Sequence, residues 1–338
     1  DTARVTAGSS GGSGAGIAAN FGLIGLASDT GDSIRGPAAH QALVGLRSTM
    51  GLVSRAGVVP LNLAADIAGA VTRTVADTAA VLQVIAGPDP ADPVTALGRD
   101  HVPPNYTASL RAEGLKGARL GVLHQAYDTS TLDREVDGVF KGALGELRNL
   151  GAAVIDPVEV AGLDTLRRSQ GGCNQFKYDL NRYLAALGDK APLHSLAEIV
   201  KSRKFHPSIQ ARLESGLAAD DTPGVSPGCQ SRDEFRGKLR TAVVSLLDSQ
   251  QLDALVYPTW SNPPRLIGDL NTPGGDNNQL FSPSTGFPAI TVPMGYTRGD
   301  TLPAGLQFLG RAWSEPRLLE LAYAYEQATH HRRPPALR

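Results

Sequence analysis

The sequence predicts an α/β fold, and three observations carry this prediction. The chain has 338 residues, of which 41% are hydrophobic, so it can bury a large core as one α/β domain or as two smaller ones. Residues 118–123 and 154–160 are apolar runs of strand length, and the segment 132–150 between them repeats apolar side chains at helical spacing. A strand, a helix and a strand in this order indicate a βαβ unit with parallel strands.

The other elements follow from the same kinds of pattern. The apolar run 21–27 is short and uninterrupted, as a buried strand would be, and it lies between a predicted helix over 13–20 and a loop over 30–36. Thr74 is the predicted N-cap of a helix over 75–86. Further helices are predicted over 163–187, 193–215, 235–250 and 314–328, further strands over 254–257, 289–292 and 305–309, and a loop near a ligand surface over 271–284.

Composition and charge argue against several classes of function. The formal net charge is −1 with no long run of one sign, which argues against a nucleic-acid or membrane-surface role, and no apolar run is long enough to span a membrane. Two cysteines, Cys173 and Cys229, argue against a disulfide framework and suit a reducing compartment, so we expect a cytoplasmic protein. His124, His194 and His206 show no ligand spacing, so neither a metal nor another cofactor is expected.

Two loops rich in glycine and serine lie near the start of the chain, at residues 7–14 and 28–38. Glycine lets backbone approach a ligand closely, and serine supplies hydroxyls that act as nucleophile or proton relay. Ser33 ends a tight loop whose N–H groups can converge on an oxyanion, and Ser9, 24 residues earlier, can relay a proton. A serine nucleophile still needs a base, here a neutral lysine or a histidine. A flexible linker or a phosphate-binding loop is the alternative, but the glycine spacing is a poor dinucleotide fingerprint.

The residues of both loops, and of several blocks beyond them, resemble the amidase signature family. The first match comprises Gly8-Ser9-Ser10-Gly11-Gly12-Ser13, Ser28-Asp29-Thr30-Gly31, Ser33-Ile34-Arg35 and Pro37-Ala38. It continues in Val44-Gly45-Leu46, Gly51-Leu52-Val53-Ser54-Arg55 and Arg73-Thr74-Val75-Ala76-Asp77. Near the end it includes Gly286-Phe287-Pro288-Ala289-Ile290-Thr291-Val292-Pro293 and Pro303-Ala304-Gly305-Leu306-Gln307-Phe308-Leu309. Because many separated positions agree at once, the resemblance is more specific than a single short motif.

The resemblance implies a Ser–cisSer–Lys triad on a large mixed β-sheet covered by helices on both faces. Ser33 matches the acyl-forming nucleophile, and Ser9 matches the bridging serine, whose preceding peptide bond is cis in the family. The residues expected to bind the oxyanion and the substrate are Thr30, Gly31, Asp32 and Ser10, and the expected supporting residues are Asp29 and Arg35. For Arg35, a purely structural ion pair with Asp29 is at least as good an explanation as a substrate contact.

The resemblance also implies one amidase domain over residues 1–338, with a signature core over 1–95 and a substrate-side part over 96–338. The implied activity is hydrolysis of a small carboxylic amide to the acid and ammonia or an amine through a seryl acyl-enzyme, with a homodimer left open. An ammonia-delivering amidotransferase subunit is the alternative, although residues 174–184 look more like the bacterial and fungal amidases. Trp260 and Phe281 are candidates for an acyl pocket, with core packing an equal alternative.

Three departures from the family pattern bear on these expectations. Ala7 replaces a usual glycine, and Asp32 stands where glycine is commonest, which places a carboxylate beside the nucleophile. The family's catalytic lysine precedes the bridging serine, whereas the first lysine of this chain is Lys116. We therefore expect that the segment with the lysine is missing, so that the chain is N-terminally truncated and incomplete as a catalyst on its own.

Overall fold

The computed structural model describes residues 1–335, and it shows an α/β protein with several elements, among them the helix Arg35–His40 and the strand Ile67–Thr72, that the sequence patterns did not predict. The α-helices are α1 (Gly11–Ala18), α2 (Arg35–His40), α3 (Val75–Ile85), α4 (Arg134–Asn149), α5 (Leu163–Arg168), α6 (Phe176–Leu187), α7 (Leu196–Ser202), α8 (Gln210–Ala218), α9 (Pro227–Ser249), α10 (Phe281–Thr285) and α11 (Glu315–Thr329). The strands are β1 (Gly25–Asp29), β2 (Val44–Arg47), β3 (Ile67–Thr72), β4 (Arg119–Leu123), β5 (Ala153–Val158), β6 (Ala254–Pro258), β7 (Ala289–Thr297) and β8 (Leu302–Leu309).

These strands form one mixed sheet in the order β1-β3-β2-β7-β8-β6-β4-β5. Strand β4 pairs in parallel with β5 and β6, whereas the remaining neighbours are antiparallel. Helix α4 connects β4 to β5, which confirms the predicted βαβ unit. Every residue of β6 is buried, and because successive side chains of a strand point to opposite faces, the centre of the sheet is covered on both sides. The large mixed sheet is the predicted one.

For helix α4, the local sequence pattern predicts both the bounds of the helix and its buried face. It was predicted over 132–150 and is found over Arg134–Asn149. Its N-cap is Asp133, whose Oδ1 accepts hydrogen bonds from the backbone N–H groups of Glu135 (3.0 Å) and Val136 (3.2 Å). The buried positions Val136, Phe140, Ala143, Leu144 and Leu147 form the apolar stripe that the periodicity predicts.

Strand β1 lies at one edge of the sheet, and here the prediction was wrong in part. The expected buried strand over 21–27 is found instead as the strand Gly25–Asp29, and Phe21 and Leu26 are 86% and 69% exposed. An uninterrupted apolar run indicates a strand but not its position in a sheet. Only β3 pairs with β1, so within the described residues the outer edge of this strand has no partner strand.

The chain divides into two compact units. The first contains residues 1–56, 67–161 and those from 242 onward, and it holds the whole sheet and both serine loops. The second contains residues 57–66 and 162–241, with helices α5 to α8 and the first part of α9. Among the described residues, no helix combines the length and apolar character that crossing a membrane requires. The assignment of residues 1–338 to one amidase domain stays a prediction.

The second unit contains a disulfide, against which the low cysteine count argued. Cys173 and Cys229 are bonded, with their Cα atoms 4.6 Å apart and a sequence separation of 56. The backbones meet here because of two glycines: a Cβ on Gly171 would overlap the Gly228 carbonyl oxygen, and a Cβ on Gly228 would overlap that of Gly172. Because both cysteines are paired, they no longer support the expected reducing compartment.

Candidate active site

The site is organised around Asp29, the last residue of β1 and the only buried residue of that strand. Its Oδ2 accepts from Arg35 Nε and from the Ile34 N–H, both at 3.1 Å, and its Oδ1 accepts from Arg47 Nη1 at 3.1 Å. All three charged side chains are fully buried. Burial alone would raise the pKa of the Asp29 carboxyl, but the guanidinium groups of Arg35 and Arg47 outweigh burial and lower it.

Arg35 extends this ion pair into the neighbouring loops. Its Nη2 donates to the Gly31 carbonyl oxygen at 2.5 Å, and its Nη1 donates to Asn278 Oδ1 and Gln307 Oε1, both at 3.2 Å. One side chain therefore joins the loop before α2, the loop before α10 and strand β8. Of the two alternatives left open for Arg35, the structure favours the structural ion pair with Asp29.

The two serine loops meet through their backbones. The Ser10 N–H donates to the Ser33 carbonyl oxygen at 3.3 Å, and Ser10 Oγ exchanges hydrogen bonds with the backbone of Ser28, also at 3.3 Å. The Gly8–Ser9 peptide bond is cis, as the resemblance implies for the bridging serine. Ser33 is half-buried and Ser9 is exposed. Within residues 1–335, no hydrogen bond joins the hydroxyls of Ser9 and Ser33 to each other.

The segment 30–33 forms the wall of the site next to Ser33. Thr30 and Gly31 are half-buried, and a Cβ added to Gly31 would overlap the side-chain amide of Gln279. The Gly36 N–H donates to the Asp32 carbonyl oxygen at 2.7 Å, so this segment leads directly into α2. A larger residue at position 31 would have to displace the side chain of Gln279, which is exposed.

Asp32 carries the second carboxyl group of this loop, and its environment is the opposite of that of Asp29. Burial is the largest cause of its shift, and the negative charges of Asp276 and Asp29 add to it, which raises the pKa of Asp32 to about 8 although Arg35 acts the other way. Burial and the neighbouring carboxyls therefore favour the neutral form of the carboxyl beside Ser33.

The aromatic and histidine candidates have packing roles in this arrangement. His40, at the end of α2, packs on Trp260 with ring centroids 4.5 Å apart. Burial, and secondarily the charge of Arg265, lowers the pKa of His40 to about 3, so it is uncharged at neutral pH. Phe281 is 1% exposed and packs near Tyr257, which favours core packing over an acyl pocket.

The one grouping of metal-ligand side chains within the described residues is Cys173, Asp221 and Cys229. Both sulfur atoms of this group are already bonded to each other in the disulfide. A thiolate, not a disulfide sulfur, is the form of cysteine that binds metals, so this group is not a metal site while oxidised.

Four residues of the site were not predicted from the sequence: Arg47, Asp276, Asn278 and Gln307. Arg47 had a local signal, since it is a charged residue at the end of the apolar strand β2. Asp276 and Asn278 lie in the loop 271–284 that was predicted to border a ligand. Gln307 lies in a block that resembles the family, but its contact with Arg35 spans 272 residues of sequence and has no local signal.

Comparison with known proteins agrees with this geometry. The family model described as Amidase matches residues 1–319. The chain belongs to the amidase family. This confirms the resemblance on which the two serine loops were interpreted, and it extends that resemblance over nearly the whole chain.

Relatives of this family differ in the activities that their names describe. The chain is 37% identical to a glutamyl-tRNA(Gln) amidotransferase subunit of Myxococcus xanthus, covering 97% of this chain and 68% of the relative. It is 33% identical to a probable amidase of Arabidopsis thaliana, covering 97% of this chain and 61% of the relative. The chain thus spans 61–68% of the length of these curated relatives.

Similar solved structures also include both an amidase and an amidotransferase subunit. The native peptide amidase from Stenotrophomonas maltophilia has a TM-score of 0.83 and 37% identity, covering 99% of this chain and 68% of that chain. A glutamyl-tRNA(Gln) amidotransferase subunit from Thermotoga maritima has a TM-score of 0.72 and 26% identity, covering 97% of this chain and 67% of that chain. The fold and the family are therefore shared by amide hydrolases and amidotransferase subunits.

Proposed function

We propose that this chain carries the acyl-transfer site of an amidase that hydrolyses a small carboxylic amide, with Ser33 as the nucleophile and Ser9 as the proton relay. The observation that carries the proposal is the backbone contact between Ser10 and Ser33, which brings together the two serine loops of an amidase-family chain. The buried Asp29–Arg35 pair supports it because it fixes the loop that leads to Ser33.

In the proposed reaction, Ser33 Oγ attacks the amide carbonyl carbon while its proton passes to Ser9 and on to a base. The carbonyl oxygen becomes an oxyanion, which the backbone N–H groups of residues 30–33 would stabilise. When the C–N bond breaks, the nitrogen takes up the proton and leaves as ammonia or an amine. Water then attacks the ester carbon and gives its proton to the same route, and the C–O bond to Ser33 breaks to release the acid.

We assign the base of this scheme to no lysine of this chain, because none precedes Ser33 as the family resemblance implies. Lys116 lies beside Gly151, and Lys141 pairs with Asp137 at 2.7 Å. We therefore propose that the isolated chain forms and hydrolyses an acyl-enzyme slowly, because a serine hydroxyl without a base is a poor nucleophile. Added primary amines of small size supply a base from solution, and we expect them to raise the rate.

The test measures ammonia release from simple primary amides and from peptide amides. It compares the wild-type chain with Ser33→Ala and Ser9→Ala. With a small primary amine added as the base, we expect Ser33→Ala to lower kcat/KM by about 10³-fold or more, because loss of an activated nucleophile costs on that scale. Ser13→Ala is the matched control, since Ser13 lies in the same motif but donates to the Leu26 carbonyl oxygen at 2.8 Å. Undiminished hydrolysis by Ser33→Ala would show that the nucleophile is wrongly assigned.

Labelling with a fluorophosphonate probe separates a weak catalyst from an inert one. A chain that lacks its base should label slowly at Ser33 and faster when a primary amine is added. Rapid labelling without amine would contradict the proposal that the isolated chain is incomplete. No labelling with or without amine would remove Ser33 as the nucleophile.

The ammonia-delivering amidotransferase subunit is the second candidate, and the relatives from Myxococcus xanthus and Thermotoga maritima favour it. This candidate predicts glutamine hydrolysis in preference to other amides and further subunits that co-purify with the native protein. The first candidate predicts turnover of amides without such partners. Substrate preference, measured as kcat/KM for glutamine against a simple primary amide, decides between them.

A further inference from the structure

A polar cavity of about 220 Å³ lies in the first unit, where the start of α3 meets the end of α11. The lining of this α3–α11 cavity comes from Arg73 and Thr74 before α3, from Pro293 of β7, and from side chains between positions 326 and 332. A cavity of this size holds several water molecules, at about 30 Å³ each, and charged groups in its lining favour a polar occupant. None of its lining residues belongs to the two serine loops.

Two arginines of the lining are not neutralised by a carboxylate of the described chain. Arg73 Nη1 donates to Asn20 Oδ1, a neutral acceptor, at 2.5 Å, and among residues 1–335 neither Arg73 nor Arg332 forms an ion pair. The Arg332 Nε is buried and has no hydrogen-bond partner in that range. A buried donor without an acceptor is unfavourable, so a ligand that brings an acceptor into this cavity is stabilised.

The next arginine along the chain shows the contrast. Arg333 donates to the two carboxylate oxygens of Asp300 at 2.6 and 2.7 Å, and its guanidinium lies over the Tyr296 ring, 3.8 Å from the centroid. Arg332 instead experiences the positive charge of Arg73, which adds to burial in lowering the pKa of Arg332. Two guanidinium groups that repel each other in one cavity are both stabilised when an anion binds there.

The acidic residue of the lining, Glu326, opposes an anion only in part. Its Oε1 accepts from the Val75 N–H at the start of α3, at 2.9 Å. Burial raises the pKa of Glu326 to about 7, although this hydrogen bond acts the other way, so the carboxyl is partly neutral at neutral pH. The ring of His331 is directed to Glu146, with Nε2 at 3.0 Å from the carboxylate. Arg73 and Arg332 therefore give the cavity a net positive charge.

We propose that the α3–α11 cavity binds a small dianionic oxyanion of the phosphate class, with the guanidinium groups of Arg73 and Arg332 as its main donors. Paired N–H donors of a guanidinium match the spacing of phosphate oxygens, and two such groups balance a dianion. A free phosphate ion and the phosphate group of a small ester share this chemistry. The proposal goes beyond the proposed function and does not depend on it, because its test measures binding and not turnover.

The first test is isothermal titration calorimetry of the full chain with inorganic phosphate, in Tris chloride at constant ionic strength. We expect saturable binding, and we expect Arg73→Ala and Arg332→Ala each to raise the Kd by at least about tenfold, because hydrogen bonds to charged groups contribute on that scale. Arg333→Ala is the matched control and should change the Kd by less than about twofold, since Arg333 is already paired with Asp300. An equal loss in Arg333→Ala and Arg332→Ala would indicate general attraction to a basic surface and would overturn the site.

A second variant changes the affinity in the opposite direction. Glu326→Gln keeps an oxygen acceptor for the Val75 N–H but removes the negative charge, so it should lower the Kd for phosphate. If Arg332→Ala does not fold, Arg332→Lys keeps the positive charge but loses the Nε donor and the planar group, and it should still raise the Kd. Unchanged phosphate binding in Arg332→Lys and in Arg73→Ala would remove the guanidinium groups as the donors.

Thermal unfolding gives an independent readout, because a ligand that binds the native state raises the Tm. Phosphate also stabilises proteins without specific binding, so the double variant Arg73→Ala with Arg332→Ala supplies the baseline. Phosphate should raise the Tm of the wild type by more than that of the double variant, and equal shifts would overturn the proposal.

Two other ligands in the same titration define the chemistry of the occupant. Acetate carries a single charge and should bind more weakly than phosphate, and equal binding of the two would contradict a site for a dianion. Glycerol phosphate distinguishes the two sources: tighter binding than inorganic phosphate would support an ester as the occupant, and weaker binding would support the free ion.

Discussion

Replacement of Asp29 by alanine is the most direct perturbation of the site, because this one carboxylate is the partner of two buried guanidinium groups. Arg35 and Arg47 both have side chains that are 0% exposed, so neither can turn to water when the carboxylate is removed. Breaking a buried ion pair by removing one partner costs about 3–5 kcal/mol, since it leaves an uncompensated buried charge. We expect Asp29→Ala to lose at least about 3 kcal/mol of unfolding free energy.

The assay is urea unfolding at neutral pH followed by far-ultraviolet circular dichroism. Asp137→Asn is the matched control, because it breaks the partly exposed pair with Lys141, and it should cost less than about 1 kcal/mol. The pKa of Asp29 is lowered in the folded state, so its contribution is present above its unfolded pKa and is lost as the pH falls. The stability difference between the wild type and Asp29→Asn should therefore shrink in acid. A loss below about 1 kcal/mol for Asp29→Ala, or a difference independent of pH, would refute this reasoning.

Two further predictions concern the stability of other elements. The Cys173–Cys229 disulfide joins residues 56 positions apart, so its reduction should lower the urea midpoint of the second unit by the equivalent of about 2–4 kcal/mol. The double variant Cys173→Ser with Cys229→Ser is the control, and its urea midpoint should not change with reductant. Equal midpoints with and without reductant in the wild type would contradict this prediction. Thr74 Oγ1 accepts a hydrogen bond from the Asp77 N–H at 3.0 Å and so caps α3. We expect Thr74→Ala to lower the free energy of unfolding by about 1 kcal/mol, and Thr74→Ser to lower it much less, as measured by thermal unfolding. Equal losses of stability in the two variants would argue against the cap.

Elements with a strong local pattern were predictable from the sequence. The apolar stripe and the capping residue of α4 lie within one stretch of chain, and the parallel pairing of β4 with β5 follows from the strand–helix–strand order. The N-cap of α3 at Thr74 was also predicted, since capping depends on the residue type at one position. Local hydrogen bonding and periodicity are properties of short windows, which is why these elements could be identified.

Features that depend on distant contacts were not predictable in the same way. The exposure of Leu26 follows from the edge position of β1, which the strand order of the whole sheet determines. The disulfide joins cysteines whose neighbouring glycines gave no recognisable signal. The partners of Arg35 on Asn278 and Gln307 are 243 and 272 residues away. The motif identifies the residue types of the site, but the surrounding side chains that contact them could be identified only from the folded structure.

Asp29 and Asp32 show how the surrounding side chains determine the pKa of a carboxyl group. The two residues have the same side chain and lie three positions apart in one loop, yet the pKa of Asp29 is lowered and that of Asp32 is raised. Both carboxyls experience burial, which favours the neutral acid, so the difference comes from their partners. Asp29 faces two guanidinium groups that favour its anion, whereas the negative charges of Asp276 and Asp29 favour the neutral form of Asp32. Environments that separate two pKa values in this way give identical groups different properties, here a buried counter-ion at Asp29 and a carboxyl at Asp32 whose neutral form is favoured.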